Sequence, residues 1–248
     1  LEANVSEPTV NRFCRSMDTR GFPDFKLHLA QSLANGTPYV NRNVNEDDSV
    51  ESYTGKIFES AMATLDHVRH SLDKSAINRA VDLLTQAKKI AFFGLGSSAA
   101  VAHDAMNKFF RFNVPVVYSD DIVLQRMSCM NCSDGDVVVL ISHTGRTKNL
   151  VELAQLAREN DAMVIALTSA GTPLAREATL AITLDVPEDT DIYMPMVSRL
   201  AQLTVIDVLA TGFTLRRGAK FRDNLKRVKE ALKESRFDKQ LLNLSDDR

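Results

Sequence analysis

Five short apolar runs occupy the chain from Lys89 onward: Ile90–Phe93, Val114–Tyr118, Val137–Ser142, Met163–Thr168 and Leu180–Leu184. Each is followed by a loop of Gly, Ser, Thr, Asp or Pro, and then usually by an amphipathic helix such as Ala99–Phe110 or Asn149–Glu159. Apolar runs this short are strand-length. Strands that alternate with helices imply a parallel sheet, because each parallel crossover needs an element to cover it. The pattern therefore predicts an α/β fold, a doubly wound five-stranded parallel sheet; in a flavodoxin-like strand order the loops after the first and third strands would flank its switch point. Two helices, about Val197–Thr211 and Ala219–Lys233, should close it.

Upstream of the sheet, Ile57, Ala61, Leu65 and Val68, then Ile77, Val81 and Leu84, recur at helical spacing and predict two helices, with Asp73 as a cap between them. Before these, Asn35–Ser49 has linker chemistry, and the first residues to about Ala34 read as a short all-α segment. With a formal net charge of -2 there is no general basic bias, so any contact with nucleic acid must be local. The chain shows neither a long unbroken apolar stretch nor a basic-then-apolar leader pattern, which predicts a cytoplasmic, soluble protein without a membrane partner. Cys129 and Cys132 form a C-x-x-C without a second pair, and His67 and His70 an H-x-x-H without a third ligand. Ordinary thiols, structural histidines and no metal are the expectation.

Ligands of open parallel sheets bind beyond the carboxyl ends of the strands, where strand order reverses. After the first run come Gly94, Leu95, Gly96, Ser97 and Ser98, and then a helix. Glycines let the backbone approach a ligand, and a helix N-terminus favours an anion. Ala99 stands where G-x-G-x-x-G needs its last glycine, and Tyr118 and Ser119 end the second run where a ribose-binding acid would be. A dinucleotide is disfavoured, and no cofactor is expected. The third run ends in Ser142, His143, Thr144, Gly145, Arg146 and Thr147, again before a helix. Its hydroxyls and backbone donors could surround a phosphate, or could simply cap the helix. Two such loops flanking one switch point favour an anionic, phosphate-sized ligand.

Near the N-terminus, Ser6 is a good N-cap and Pro8 is tolerated in the first turn of a helix running to about Met17. Val10, Phe13 and Met17 share one face at helical spacing, and Pro8, Asn11, Arg12 and Arg15 fall on the other. An apolar back with an Asn/Arg front suits a major groove, since Arg reads guanine or clamps phosphates and Asn reads adenine. The same pattern fits an ordinary surface helix, and acids balance the bases of this segment.

The strings G-L-G-S-S, S-H-T-G-R-T and T-S-A-G-T-P-L-A (Thr168–Ala175), with the run Ser198–Leu203, resemble the sugar isomerase (SIS) domain over about Ser75–Arg216. That resemblance implies that Ser98 and the Ser142, Thr144, Gly145 and Thr147 loop hold phosphate, and that Ser97, His143 and Glu188 lie near the sugar. The strings V-S-E-P-T-V-N-R-F and G-F-P-D-F-K (Gly21–Lys26) resemble the helix-turn-helix of the RpiR family of transcription regulators, which join this reader to an SIS domain. It implies DNA contacts from Ser6, Thr9, Asn11, Arg12 and Arg15, and further helices before Leu1, so that the sequence is a piece of a longer protein. The organisation expected is a partial helix-turn-helix over 1–34, a linker and connecting helix over 35–75, the SIS domain over 76–216, and a C-terminal helix and tail over 217–248. Within the family, the likeness is to repressors of glucose catabolism genes. Such a repressor would be a homodimer on a palindromic operator, released by a phosphorylated sugar acid, 2-keto-3-deoxy-6-phosphogluconate, and would not be an enzyme. Two alternatives stay open. A sugar phosphate aldose-ketose isomerase would need a base, for which Glu188, Asp189, Asp191 and His143 are the candidates, and an adaptor would use its N-terminal helices to bind protein.

Overall fold

The computed structural model describes residues 6–17, 19–26 and 43–233. The chain divides into two compact units, Leu1–Ala63 with Glu188–Pro195, and Thr64–Pro187 with Met196–Arg248. Among the described residues the helices are α1 (Glu7–Ser16), α2 (Val50–Ser71), α3 (Lys74–Gln86), α4 (Ser97–Phe109), α5 (Ile122–Met130), α6 (Lys148–Glu159), α7 (Pro173–Glu177) and α8 (Val197–Lys233). The strands are β1 (Lys89–Gly94), β2 (Val116–Tyr118), β3 (Asp136–Ile141), β4 (Met163–Thr168) and β5 (Leu180–Thr183). No helix of the described residues is long and apolar enough to cross a membrane.

The larger unit is built on one sheet of order β2-β1-β3-β4-β5, parallel throughout. This is the flavodoxin-like order, with the reversal between β1 and β3. Every position of β3 is buried, as is β1 from Ile90 on, which only near-continuous apolar runs can satisfy. Successive side chains serve opposite layers. Ala91, Phe93, Val138, Leu140, Val164 and Ala166 pack with Leu150, Leu153, Ala154 and Ala157 of α6, Cys129 of α5 and Leu174 of α7. On the alternate face the Phe92 ring lies 5.1 Å from Phe109 of α4, which in turn meets Phe213 of α8 at 5.4 Å.

Two boundaries differ from the sequence reading for identifiable reasons. β2 begins at Val116 rather than Val114, because Pro115 has no N–H to give and serves only as acceptor for Ile90 N. The first closing helix runs on past Thr211, since Phe213 is fully buried, and the break falls at Gly218, whose φ of 77° and ψ of -163° are non-helical. The Asp73 cap is as expected, its carboxylate accepting from Ser75 N at 2.8 Å.

In the smaller unit, Ser6 takes the N-cap position of α1 and its hydroxyl meets Thr9 Oγ1 at 2.9 Å rather than capping the backbone. The expected apolar face of Val10, Phe13 and Met17 is corrected here. Phe13 and Met17 are 55% and 57% exposed, while Cys14 is fully buried and Val10 half-buried, so the buried stripe is the i, i+4 pair Val10 and Cys14. Phe13 instead meets the edge of Phe25 at 5.9 Å. Residues 22–26 are helical, and Asp24 ties to the Arg20 guanidinium at 3.2 Å. Of the expected linker, 35–42 lies outside the described residues, as does the tail 234–248. Asp48 anchors the start of α2 by accepting from Lys56 Nζ at 2.6 Å, which holds its carboxyl at a pKa of about 2.

Candidate functional site

The β1–β3 register pairs Gly94 with Ile141, so the turns that follow leave the sheet side by side. In the first, a side chain at Gly94 would place its Cβ 2.5 Å from the carbonyl oxygen of Ser98, so only glycine lets the chain fold back this tightly. Gly96, at φ 57°, stands at the N-cap of α4 with no side-chain cap, while the amides of Ser98 and Ala99 make tight turn bonds to the carbonyls of Leu95 and Gly96. Ser97 is half-buried and Ser98 buried, both in the first turn of α4.

The second turn is closed by side chains. Ser142, 5% exposed, accepts from Gly145 N at 3.2 Å, and Thr144 Oγ1 accepts from Arg146 N at 3.4 Å. Gly145 has φ 57°, and a Cβ there would lie 2.5 Å from Thr168 Oγ1. The loop after β4 buttresses this turn. Ser169 donates to the His143 carbonyl from both its N at 3.1 Å and its Oγ at 2.8 Å, and Leu174 N donates to the Gly145 carbonyl at 3.1 Å. Thr172 Oγ1 donates to Ser169 O at 3.0 Å and accepts from Ala175 N at 3.2 Å, capping α7. Thr147 occupies the N-cap of α6, yet its hydroxyl makes no cap bond.

Ser97, Ser98, Ser142, His143, Thr144, Gly145 and Thr147 are therefore gathered on two neighbouring turns, each opening a helix. Glu188, Asp189 and Asp191 belong to the other unit, Glu188 half-buried and the two aspartates exposed. The DNA-facing candidates Ser6, Thr9, Asn11, Arg12 and Arg15 are all exposed on α1 or its cap. Asn11 has a structural bond as well, since its Oδ1 accepts from Phe22 N at 3.2 Å and so fixes the following helical turn.

Sequence reasoning gave no role to Ser169, Thr172 or Gln125. Gln125 is fully buried on α5, and its Nε2 donates to the Ser119 carbonyl at 2.7 Å and to the Gly94 carbonyl at 3.3 Å. A polar residue sharing the inward face with Ile122 and Cys129 was the available signal. Burial pushes the Cys129 thiol up to about 12 and raises that of Cys132, which leaves both protonated and poorly nucleophilic. His67 is committed to Asp185 at 3.0 Å and His70 to the Asp66 carbonyl at 2.8 Å. Among the described residues no cluster of three metal-ligating side chains occurs.

Residues 83–212 match the SIS domain family, which defines the class of the sheet unit. Residues 1–36 match the helix-turn-helix domain of the rpiR family. The HTH-type transcriptional regulator HexR of Pseudomonas aeruginosa is 57% identical to this chain over 235 residues, 95% of the chain and 82% of that protein. The chain belongs to the rpiR family of helix-turn-helix transcriptional regulators with an SIS domain, and within it to the HexR type. It is also similar to the bifunctional protein glk of Paraburkholderia xenovorans, at 38% identity over 230 residues, 93% of this chain but 36% of that longer protein. The Vibrio vulnificus NanR protein complexed with ManNAc-6P shares the fold, with a TM-score of 0.69 and 24% identity over 96% of this chain and 84% of that one.

Proposed function

We propose that the protein is a repressor of glucose catabolism genes, acting in the cytoplasm as a homodimer on a palindromic operator. A phosphorylated sugar acid, 2-keto-3-deoxy-6-phosphogluconate, binds the two turns and releases the DNA. The observation that carries the effector site is the pair of helix N-termini at the switch point. Neither α4 behind Gly96 nor α6 behind Thr147 has a side-chain cap, so the hydroxyls of the adjacent turns, which can still donate, and the positive ends of two helices face one anion. Ser98, Ser142, Thr144, Gly145 and Thr147 hold the phosphate, and Ser97 and His143 lie toward the sugar acid. The exposed Arg12, Arg15, Asn11, Ser6 and Thr9 of the α1 segment face the operator. The NanR protein of the same fold is complexed with ManNAc-6P, which agrees with a ligand of this class.

A ligand shifts a conformational equilibrium only through unequal affinity for the two states. Reversing a strongly biased equilibrium takes roughly 5 kcal/mol of differential binding. Charged hydrogen bonds contribute roughly 1.5 to 3 kcal/mol each, so a few state-dependent ones suffice. The protein is not an enzyme on this reading. Proton NMR of the protein with a mixture of sugar phosphates and phosphosugar acids tests it: selective broadening of one sugar acid, with no new signals, is expected. Growth of an isomer's signals would establish catalysis and overturn the sensor.

A further inference from the structure

Gln125 is an unusual residue to find enclosed. It is fully buried on the inward side of α5, its two neighbours on that side are Ile122 and Cys129, and its Oε1 has no hydrogen-bond partner among the described residues. The amide orientation is fixed by its surroundings. Both groups within reach of Nε2, the carbonyls of Ser119 and Gly94, are acceptors, so exchanging Nε2 and Oε1 would set three oxygens against one another. Leaving a buried acceptor unpaired is costly, and an apolar side chain of similar length would avoid that cost. Local rules of this kind are broken where function requires it. What the amide alone supplies here is a pair of donors that tie Gly94, the last residue of β1, to the loop after β2. That second loop is itself rigid, since Asp121 accepts from Leu124 N at 2.9 Å and Asp121 N donates to Ser119 Oγ at 3.1 Å.

Leu95 of the turn after β1 packs against the core, and Gln125 is the side chain that holds its backbone at Gly94. The peptide of Gly94 and that of Ser98 are so close that no Cβ fits between them, so any shift of the Gly94 carbonyl is passed directly to Ser98 and to the start of α4. We propose, on the reading of the two turns as a phosphate site, that Gln125 is a positioning residue for that site. By clamping the Gly94 carbonyl to Ser119 it presets the backbone of Gly96 and Ser97 and the hydroxyls of Ser97 and Ser98 at the place the phosphate takes. It does not touch the ligand; it acts on the phosphate rather than on the sugar, and on α1 not at all.

The test uses inorganic phosphate and 2-keto-3-deoxy-6-phosphogluconate as probes, with affinities from phosphorus NMR and calorimetry on the intact chain. Gln125→Met, which keeps length and removes both donors, should weaken both probes by the same factor, roughly tenfold, the loss of one to two ordinary hydrogen bonds' worth of preorganisation. Equal affinity for wild type and variant, or a loss confined to the sugar acid with phosphate unaffected, would overturn the assignment. Should that variant not fold, Gln125→Glu decides. Its introduced carboxyl can give one donor to Ser119 only when protonated, and burial raises its pKa above the ordinary 4.3 or so. The ratio of variant to wild-type affinity should then climb toward one as pH falls through the introduced carboxyl's own titration, followed by carbon NMR in the same samples, whereas a ratio flat across that titration overturns the clamp. If wild type binds neither probe, the phosphate site itself is wrong and Gln125 positions nothing; if wild type binds and only the variants disagree, the failure is Gln125's alone.

Discussion

The turn after β1 is held almost wholly by main chain, whereas the turn after β3 is held by side chains, although the two lie side by side and open equivalent helices. Gly94 folds back onto the Ser98 carbonyl, and the support from outside comes through Gln125 and backbone carbonyls. Around Gly145, hydroxyls of Ser142 and Thr144 bond inward, and Ser169 and Leu174 brace the turn from the next strand's loop. The difference follows from sheet position. β3 is central, with β4 on its far side to lend a bracing loop, while β1 has only the short β2 beyond it. A site built this way should fail differently when each half is altered.

The largest effect is expected from a methyl group at either glycine. Gly145→Ala meets both a left-handed φ and Thr168 Oγ1, and should lose about 3 kcal/mol of stability in urea unfolding together with phosphate binding. Gly94→Ala meets only a steric barrier, but from backbone, which yields no more easily than the Thr172 Cβ 2.6 Å from a Cβ at Gly145, so its loss should be of the same order. A loss under about 0.5 kcal/mol at Gly94 would mean that the first turn is not limited by main-chain contact. Next in size is Ser142→Ala. It leaves the buried Gly145 N–H without its acceptor, costing about 1 to 2 kcal/mol, and removes a donor to phosphate, so effector affinity should fall roughly 10- to 100-fold. Operator binding without effector should be unchanged in a gel-shift titration, and effector release of DNA at wild-type concentration in this variant would sink the role given to Ser142.

How much of this was legible in the sequence depends on how local each cause is. β3 and β4 were plain because strands buried on both faces must be apolar almost throughout, and the parallel sense of the sheet followed from alternation with helices. The two turns were visible too, as glycines and hydroxyls between a strand and a helix. Their bracing was not, because Ser169 meets His143 only through the β3–β4 register, which no local pattern encodes. Gln125 was missed for a related reason: near a helix start a glutamine reads as surface, and only the fold turns it inward. On α1 the apolar triad of Val10, Phe13 and Met17 drew attention from Cys14, a smaller residue that is the one fully enclosed. Volume was mistaken there for burial, and a free cysteine packs as a small apolar group.

The smallest change in stability should come from the residue that separates capping from binding most cleanly. Thr147 stands at the N-cap of α6, where a threonine ordinarily accepts from the helix and is worth about 1 kcal/mol over alanine. Its hydroxyl makes no such bond, so Thr147→Ala should move the urea midpoint by less than about 0.5 kcal/mol equivalent. Effector affinity should nonetheless drop several-fold, because the same hydroxyl is then a ligand donor lost outright. The opposite pattern, with stability down by a full cap and affinity unchanged, would return Thr147 to the scaffold. It would leave Ser142, Thr144 and the backbone of the two turns to hold the phosphate, and would make the side-chain turn a purely structural counterpart of the main-chain one.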